Sequence, residues 1–474
     1  MNKIIERLKP YLKVNEQTEL YTVVLEDDEN VFQIVEKHTD QPLACYGLNE
    51  DGEMDYFQSY IELEKVQDNQ LTYAEMYEKV QSFINMFTPH LVHSMPFAYI
   101  IQFDMMYHVV YEKKDEKLGL FLPNSGVTID ITKDGRLYQL FSEVDEYQIY
   151  YPENSISKEE AKEKYAEKLE FELMISRADK ETFANGDDAY HLVYAPKDYV
   201  FHIGPSGEIH TIEGYGGFLP QYEKIENRIV PKSVIRECIG LHDKYVNFHT
   251  STNDNEVIEL WARKEHVQHS VRGEGELSSY AIQVCLDKDT GQYMSVVNNE
   301  RKEKNREALT EAEAKERALQ LLFALYPDAS DRFIIEKGHP SHHCMREEDD
   351  EYESEYIFQF QRIHNEIKVD VNSMKIGVGK YSGKVTHFKA CSFDENELTL
   401  ISVKPNISKE EAKEILTSAL DMEFSWWKEV EGDNVSYRAF YNPAFPKTNG
   451  HVKMIEAQTG ETFHIDTGII MGER

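Results

Sequence analysis

Cysteine is scarce in this chain, five in 474 residues and odd in number: Cys45, Cys238, Cys285, Cys344 and Cys391. That usage argues against a disulfide framework and fits a reducing compartment. Basic residues are also short, 51 against 86 acidic ones, which leaves a net charge of -35. Phosphate backbones and anionic membranes repel such a chain unless a local basic patch overrides the field. The densest basic stretch, Arg301 to Arg306, is a mixed-charge lead-in to a helix, so neither nucleic acid nor membrane is expected as a partner. A basic protein or peptide partner is compatible with the charge, and so is mere solubility. No apolar run approaches membrane-spanning length, and Met1 to Pro10 lacks the apolar core of a signal peptide. Cytoplasm is the expected location.

Catalytic signatures are missing as well. The sequence holds no P-loop, no dinucleotide fingerprint and no His-Glu-x-x-His. Gly204-Pro205-Ser206-Gly207 sets a serine beside glycines but lacks nucleophile-elbow spacing, and reads as a turn. Choosing two of 86 acids as general acid and base would be arbitrary. The reading therefore leans away from an enzyme, and no cofactor is expected.

What is present is repetition. Six glycines, Gly52, Gly135, Gly207, Gly291, Gly383 and Gly460, each close a run of alternating apolar residues. Four helix starts carry a capping box: Thr72 with Glu75, Ser157 with Glu160, Thr310 with Glu313, and Ser408 with Glu411. In such a box the hydroxyl accepts from the backbone N–H three residues on, and the Glu reaches back to the cap's own N–H. A hydrophobic residue precedes each cap (Leu71, Ile156, Leu309, Ile407). The apolar spacing that follows, Met76, Val80, Phe83, Ile84 and Phe87 for example, is helical and one-faced. Pro231-Lys232-Ser233 offers a fifth start and Asn2 to Ile5 a sixth.

Those helices need a surface to lie on. Tyr356, Phe358 and Phe360 alternate with polar residues, as do Ile367, Val369 and Val371; such period-two segments split by glycine turns read as antiparallel hairpins with one face buried. The fold class is α+β: a tandem repeat of about six units, each a helix packed on a small antiparallel sheet. Thr310 lies 238 residues after Thr72 and Ser408 lies 251 after Ser157, so the units group into two three-unit halves. The expected boundaries are 1–228, subdivided at about 1–70, 71–155 and 156–228, and 229–474, subdivided at about 229–308, 309–406 and 407–474. Duplication of a three-unit module is the simplest account.

The capping-box helix with Lys409-Glu410-Glu411-Ala412, followed by strands and a Thr-Gly hairpin, resembles PepSY-type domains. Tyr356 to Arg362, Ile367 to Val371 and Ser382-Gly383-Lys384-Val385, leading to Ile407-Ser408, resemble more specifically the YcdB/YcdC repeats of Gram-positive bacteria. The resemblance extends over about 310–466 and, more faintly, 72–215. PepSY domains restrain thermolysin-type proteases within their propeptides and also occur in cell-envelope proteins, so the resemblance implies a structural or restraining role. It transfers no catalytic residue. Members are typically exported or membrane-tethered, and this sequence departs from them in showing neither a signal nor an anchor.

Among candidate sites, His339, His342, His343 and Cys344 are the most concentrated set of zinc or copper ligands. The alternative is a solvated, His-rich hairpin loop. His266 and His269 read as surface-loop residues, and Asp287 to Gly291 as a hairpin turn, because Asn298 stands where a calcium loop requires Glu. Trp426 and Trp427 cannot both face one core, so one is expected at the surface, as a cap or a partner anchor. Three readings follow, in order: a non-catalytic binding or regulatory protein that holds a polypeptide, such as a protease, on its sheet faces or edges; a structural scaffold or assembly protein; and a metal-dependent enzyme or sensor centred on His339 to Cys344.

Overall fold

The computed structural model describes residues 2–15, 17–25, 28–60, 62–63, 71–93, 95–142, 146–197, 200–211, 219–269, 281–300, 307–338, 354–370, 373–390, 395–432, 434–448 and 450–472. Helix α1 (Asn2–Leu12) leads into β1 (Leu20–Leu25), β2 (Asp28–Glu36), β3 (Pro42–Leu48) and β4 (Met54–Ser59). Helix α2 (Tyr73–Phe87), extended by α3 (Pro89–His93), leads into β5 (Phe97–Gln102), β6 (Met106–Tyr111), β7 (Val127–Thr132) and β8 (Leu137–Ser142). Next come β9 (Tyr147–Tyr150), α4 (Lys158–Lys168), β10 (Phe171–Arg177), β11 (Tyr190–Pro196), β12 (Val200–Ile203), β13 (Ile209–Thr211) and β14 (Gln221–Lys224).

The chain continues with α5 (Val234–Cys238), β15 (Tyr245–Thr252), β16 (Glu256–Arg263), a 3-10 turn at Lys264–His269, β17 (Ile282–Asp287) and β18 (Tyr293–Asn298). Helices α6 (Glu311–Leu325) and α7 (Ala329–Arg332) precede β19 (Phe333–Lys337), β20 (Glu355–His364), β21 (Ile367–Asp370), β22 (Met374–Gly379) and β23 (Val385–Lys389). The last group is α8 (Glu395–Thr399), α9 (Lys409–Ala419), β24 (Asp421–Glu431), β25 (Asn434–Ala444), β26 (Gly450–Glu456), β27 (Thr462–Asp466) and β28 (Ile469–Gly472).

The local rules operate as the sequence dictates. All four capping boxes form with both hydrogen bonds in place. The residue before each cap donates its N–H to the turn ahead of a repeat glycine: Leu71 to Lys133, Ile156 to Pro205, Leu309 to Lys380 and Ile407 to Ala457. Each helix start is thereby tied to the hairpin below it. All six repeat glycines have positive φ. At Gly135 (φ 86°) the turn needs glycine for its dihedral, and a Cβ there would also displace the Leu71 methyl 2.8 Å away. Met76, Val80, Phe83 and Ile84 are buried against the first sheet, each stabilising by about 1.5–3 kcal/mol relative to exposure. The fifth start is weaker: Ser233 makes no side-chain cap bond to α5.

The small sheets of the units merge into larger ones, a point the sequence leaves open. Two four-strand meanders join through their last strands, β4 against β8, in the order β1-β2-β3-β4-β8-β7-β6-β5. A second pair joins in the same way, β18 against β23, in the order β15-β16-β17-β18-β23-β22-β20-β19. The physical reason is that the fourth strand of a meander is an exposed edge, and pairing two such edges satisfies both rows of backbone groups. Strand β28 then adds to β5, and β14 to β19.

Between these two bodies the strands interleave. β11 pairs with β26 instead of β12, and β12 pairs with β25, which gives the runs β10-β11-β26-β27 and β13-β12-β25-β24. Helices α4 and α9 share one core with both runs, containing Tyr165, Ile175, Leu192, Ile203, Leu416 and Ile455. Two parallel pairs depart from the antiparallel expectation: β21 on β10 and β9 on β25. Among the described residues the result is a nine-stranded, a fourteen-stranded and a five-stranded sheet.

Residues His339, His342, His343 and Cys344, and the basic stretch Arg301 to Arg306, lie outside the described residues. Among the described residues, no group of three or more His, Cys, Asp or Glu side chains is placed to hold a metal ion, and no helix is long and apolar enough to cross a membrane. Cys45, Cys238 and Cys285 are buried free thiols. His266 and His269 belong to the 3-10 turn rather than to an irregular loop.

Candidate functional site

The adjacent tryptophans separate as strand geometry requires, because successive side chains on β24 point to opposite faces. Trp426 is 2% exposed and Trp427 is 47% exposed. The buried indole packs with Leu120 and Leu122 from the connection between β6 and β7. Its Nε1 donates to Asp115 Oδ2 at 2.9 Å.

Asp115 is the organiser of that connection. Its carboxylate also accepts from the backbone N–H groups of Lys117 (3.0 Å), Leu118 (2.6 Å) and Leu120 (2.9 Å), and from the Tyr151 hydroxyl at 3.3 Å. Burial alone would push this carboxyl up. The donors from Leu118, Trp426, Leu120 and Lys117 outweigh burial and hold it below the ordinary aspartate value. The loop is fixed to the hairpin at two further points: Lys428 Nζ donates to the Asn124 carbonyl at 2.9 Å, and the Tyr437 hydroxyl to the Pro123 carbonyl at 3.1 Å.

A cleft of about 400 Å³ remains between this loop and β24. Its floor is five consecutive residues of β24, Glu423 to Trp427; Leu120, Phe121 and Pro123 line the facing wall together with the charged Glu112 and Lys114. Among the described residues β24 pairs with β25 alone, so its outer backbone edge faces the cleft. Behind Trp427, the His202 ring lies 5.4 Å away and 4.0 Å from Phe440, centroid to centroid. Burial, followed by the nearby His210, pushes His202 down to about 4, so the ring is neutral at neutral pH and extends the apolar platform. An aromatic platform beside an open strand edge suits an extended polypeptide.

A second cleft, of about 470 Å³, is lined by Asp187, Asp188, His191, Glu397 and Glu456 among others. Its lining comes from the segment leading into β11, from α8 and the residues after it, and from the end of β26, and Tyr190 is the aromatic residue in it.

Of the sequence candidates that fall among the described residues, the tryptophan pair lines this cleft. Asp115, Phe121 and Glu423 carry no motif; the spacing that matches Ser157 to Ser408 also matches Glu172 to Glu423, and this is the signal that could have found the last of them.

By architecture this is a strand-rich, helix-plus-sheet protein. Residues 234–391 match the family model of the YcdB, YcdC repeated domain, and the chain resembles that repeat family. The matched segment starts at α5 and ends just beyond β23, so it takes in one merged eight-strand body and overlaps the expected 310–466 stretch over 310–391. The chain is 26% identical over 360 residues to the uncharacterised protein YcdB of Bacillus subtilis (strain 168), spanning 72% of each chain. It is 24% identical over 370 residues to the uncharacterised protein YcdC of the same organism, spanning 73% of this chain and 75% of that one. Among solved structures, the Bacillus megaterium YpeB C-terminal domain matches 44% of this chain and 97% of its own, with a TM-score of 0.27 and 14% identity.

Proposed function

We propose that this protein is a non-catalytic polypeptide-binding protein, and that it holds an extended segment of a partner in the cleft beside β24. The observation that carries this reading is the exposed Trp427 on a strand edge that is unpaired among the described residues, in a cleft that Leu120, Phe121 and Pro123 also line. Buried aromatic anchors dominate polypeptide interfaces, and an open edge supplies the backbone hydrogen bonds. Restraint of a protease is the narrower form of this reading, motivated by the resemblance to PepSY domains.

The same proposal takes the body as six helix-plus-sheet units in two three-unit halves, 1–228 and 229–474. The repeated offsets of the capping residues support this, as does the matching strand order of the two merged meanders.

The test is selection of a displayed random hexapeptide library on the full chain, followed by titration of the selected peptides. Saturable binding that weakens by about 30-fold in Trp427→Ala is expected, the size of an interface hot spot. Absence of any selected binder, or binders indifferent to Trp427, would refute the reading.

A further inference from the structure

Strands β10 and β24 are equivalent elements. Each follows a Ser-capped helix, and Glu172 lies as far beyond Ser157 as Glu423 lies beyond Ser408. Their outer edges differ. On β10 the edge is filled by β21, which runs parallel with Met174 opposite Lys368, Ile175 opposite Val369, and Ser176 opposite Asp370. Lys368 Nζ lies 2.8 Å from Glu172 and Ser176 Oγ donates to Asp370 at 3.0 Å. Val369 is fully buried.

Strand β21 lies in the connection between β20 and β22, which are the second and third strands of the meander that follows α6. The corresponding connection after α2 runs from β6 to β7 and contains Asp115. It docks on β24 through side chains, without a strand ladder, and so leaves the cleft. Among the described residues Glu423 forms no ion pair like that of Glu172; the cation that lines the same cleft, Lys114, lies over the Phe121 ring.

We propose that the β24 edge receives an extended peptide from a partner protein, parallel to β24 as β21 is parallel to β10. A lysine or arginine sits opposite Ser425 and pairs with Glu423, as Lys368 pairs with Glu172. The residues on either side of this cation are apolar and face Phe424, Trp426 and the Phe121 wall, as Ile367 and Val369 face the β10 core. The residue opposite Trp427 is apolar or aromatic, because the indole stands where Ser176 holds Asp370. This deepens the polypeptide-binding reading and rests on it.

The experiment titrates the end-capped hexapeptide Asn-Ile-Lys-Val-Phe-Asn into the full chain, followed by tryptophan fluorescence. Saturable binding is expected, weakened about tenfold or more by Glu423→Lys and equally by a Lys-to-Glu peptide, with affinity recovered when the Glu peptide meets Glu423→Lys. Binding that ignores both charge reversals but falls in Trp427→Ala overturns parallel strand addition and leaves the polypeptide-binding reading standing. No binding by this peptide or by any library member overturns both. A concentration-dependent dimer of the chain that dissolves on Glu423→Lys overturns the partner peptide in favour of a second copy.

Discussion

The indole of Trp426 and the carboxylate of Asp115 meet at 2.9 Å across 311 positions of chain, and this bond fixes one wall of the cleft to its floor. It joins a loop of the first merged sheet to an edge strand near the end of the sequence. The wall is therefore as rigid as the bond that holds it.

Trp426→Phe keeps most of the apolar volume but removes a donor from a buried carboxylate. A loss of about 1.5–3 kcal/mol is expected, the range for hydrogen bonds to charged groups. Trp427→Ala, on the exposed face, should stay within about 0.5 kcal/mol. Urea unfolding of the two variants separates them, and equal losses would contradict the assignment of faces.

Acid should release the loop. The Asp115 carboxyl is held below its ordinary value of 3.8 in the folded chain. Its contribution is then complete above pH 3.8 and is lost as pH falls through the lower folded value. Asp134 behaves likewise: although burial opposes it, Thr132, Arg136 and Lys13 draw it down to about 2. Fluorescence of Trp426 followed between pH 5 and pH 2 should report the release, and Asp115→Asn should flatten that part of the profile.

The interleaved strands predict shared stability. Leu416 on α9 is buried in the core common to both composite runs, and Leu416→Ala should cost about 2–5 kcal/mol. Hydrogen exchange should accelerate in β10 and β11, which precede residue 228, as well as in β26 and β27. Acceleration confined to residues 409–466 would show that the two runs open independently.

The caps offer a smaller, local check. Ser157→Ala and Ser408→Ala should each cost about 1 kcal/mol. Gly207→Ala should cost more than either, because φ 95° is a backbone conformation that residues with a Cβ rarely adopt. Thermal melts of the three single variants give the ranking.

The sequence by itself determined the local structure: four capping boxes, six positive-φ glycine turns, the one-faced helices and the separation of Trp426 from Trp427. Each follows from interactions within a few residues, so each can be read from spacing. Only the tertiary structure decided that β4 joins β8, that β11 passes over β12 to pair with β26, and that β21 fills one strand edge while its counterpart, among the described residues, stays open. Period-two alternation states which face of a strand is buried. It says nothing about which strand lies alongside, because backbone N–H and C=O groups are the same in every residue but proline. Glu423 and Glu172 look alike in sequence; what distinguishes them is the presence of Lys368 beside one and a cleft beside the other.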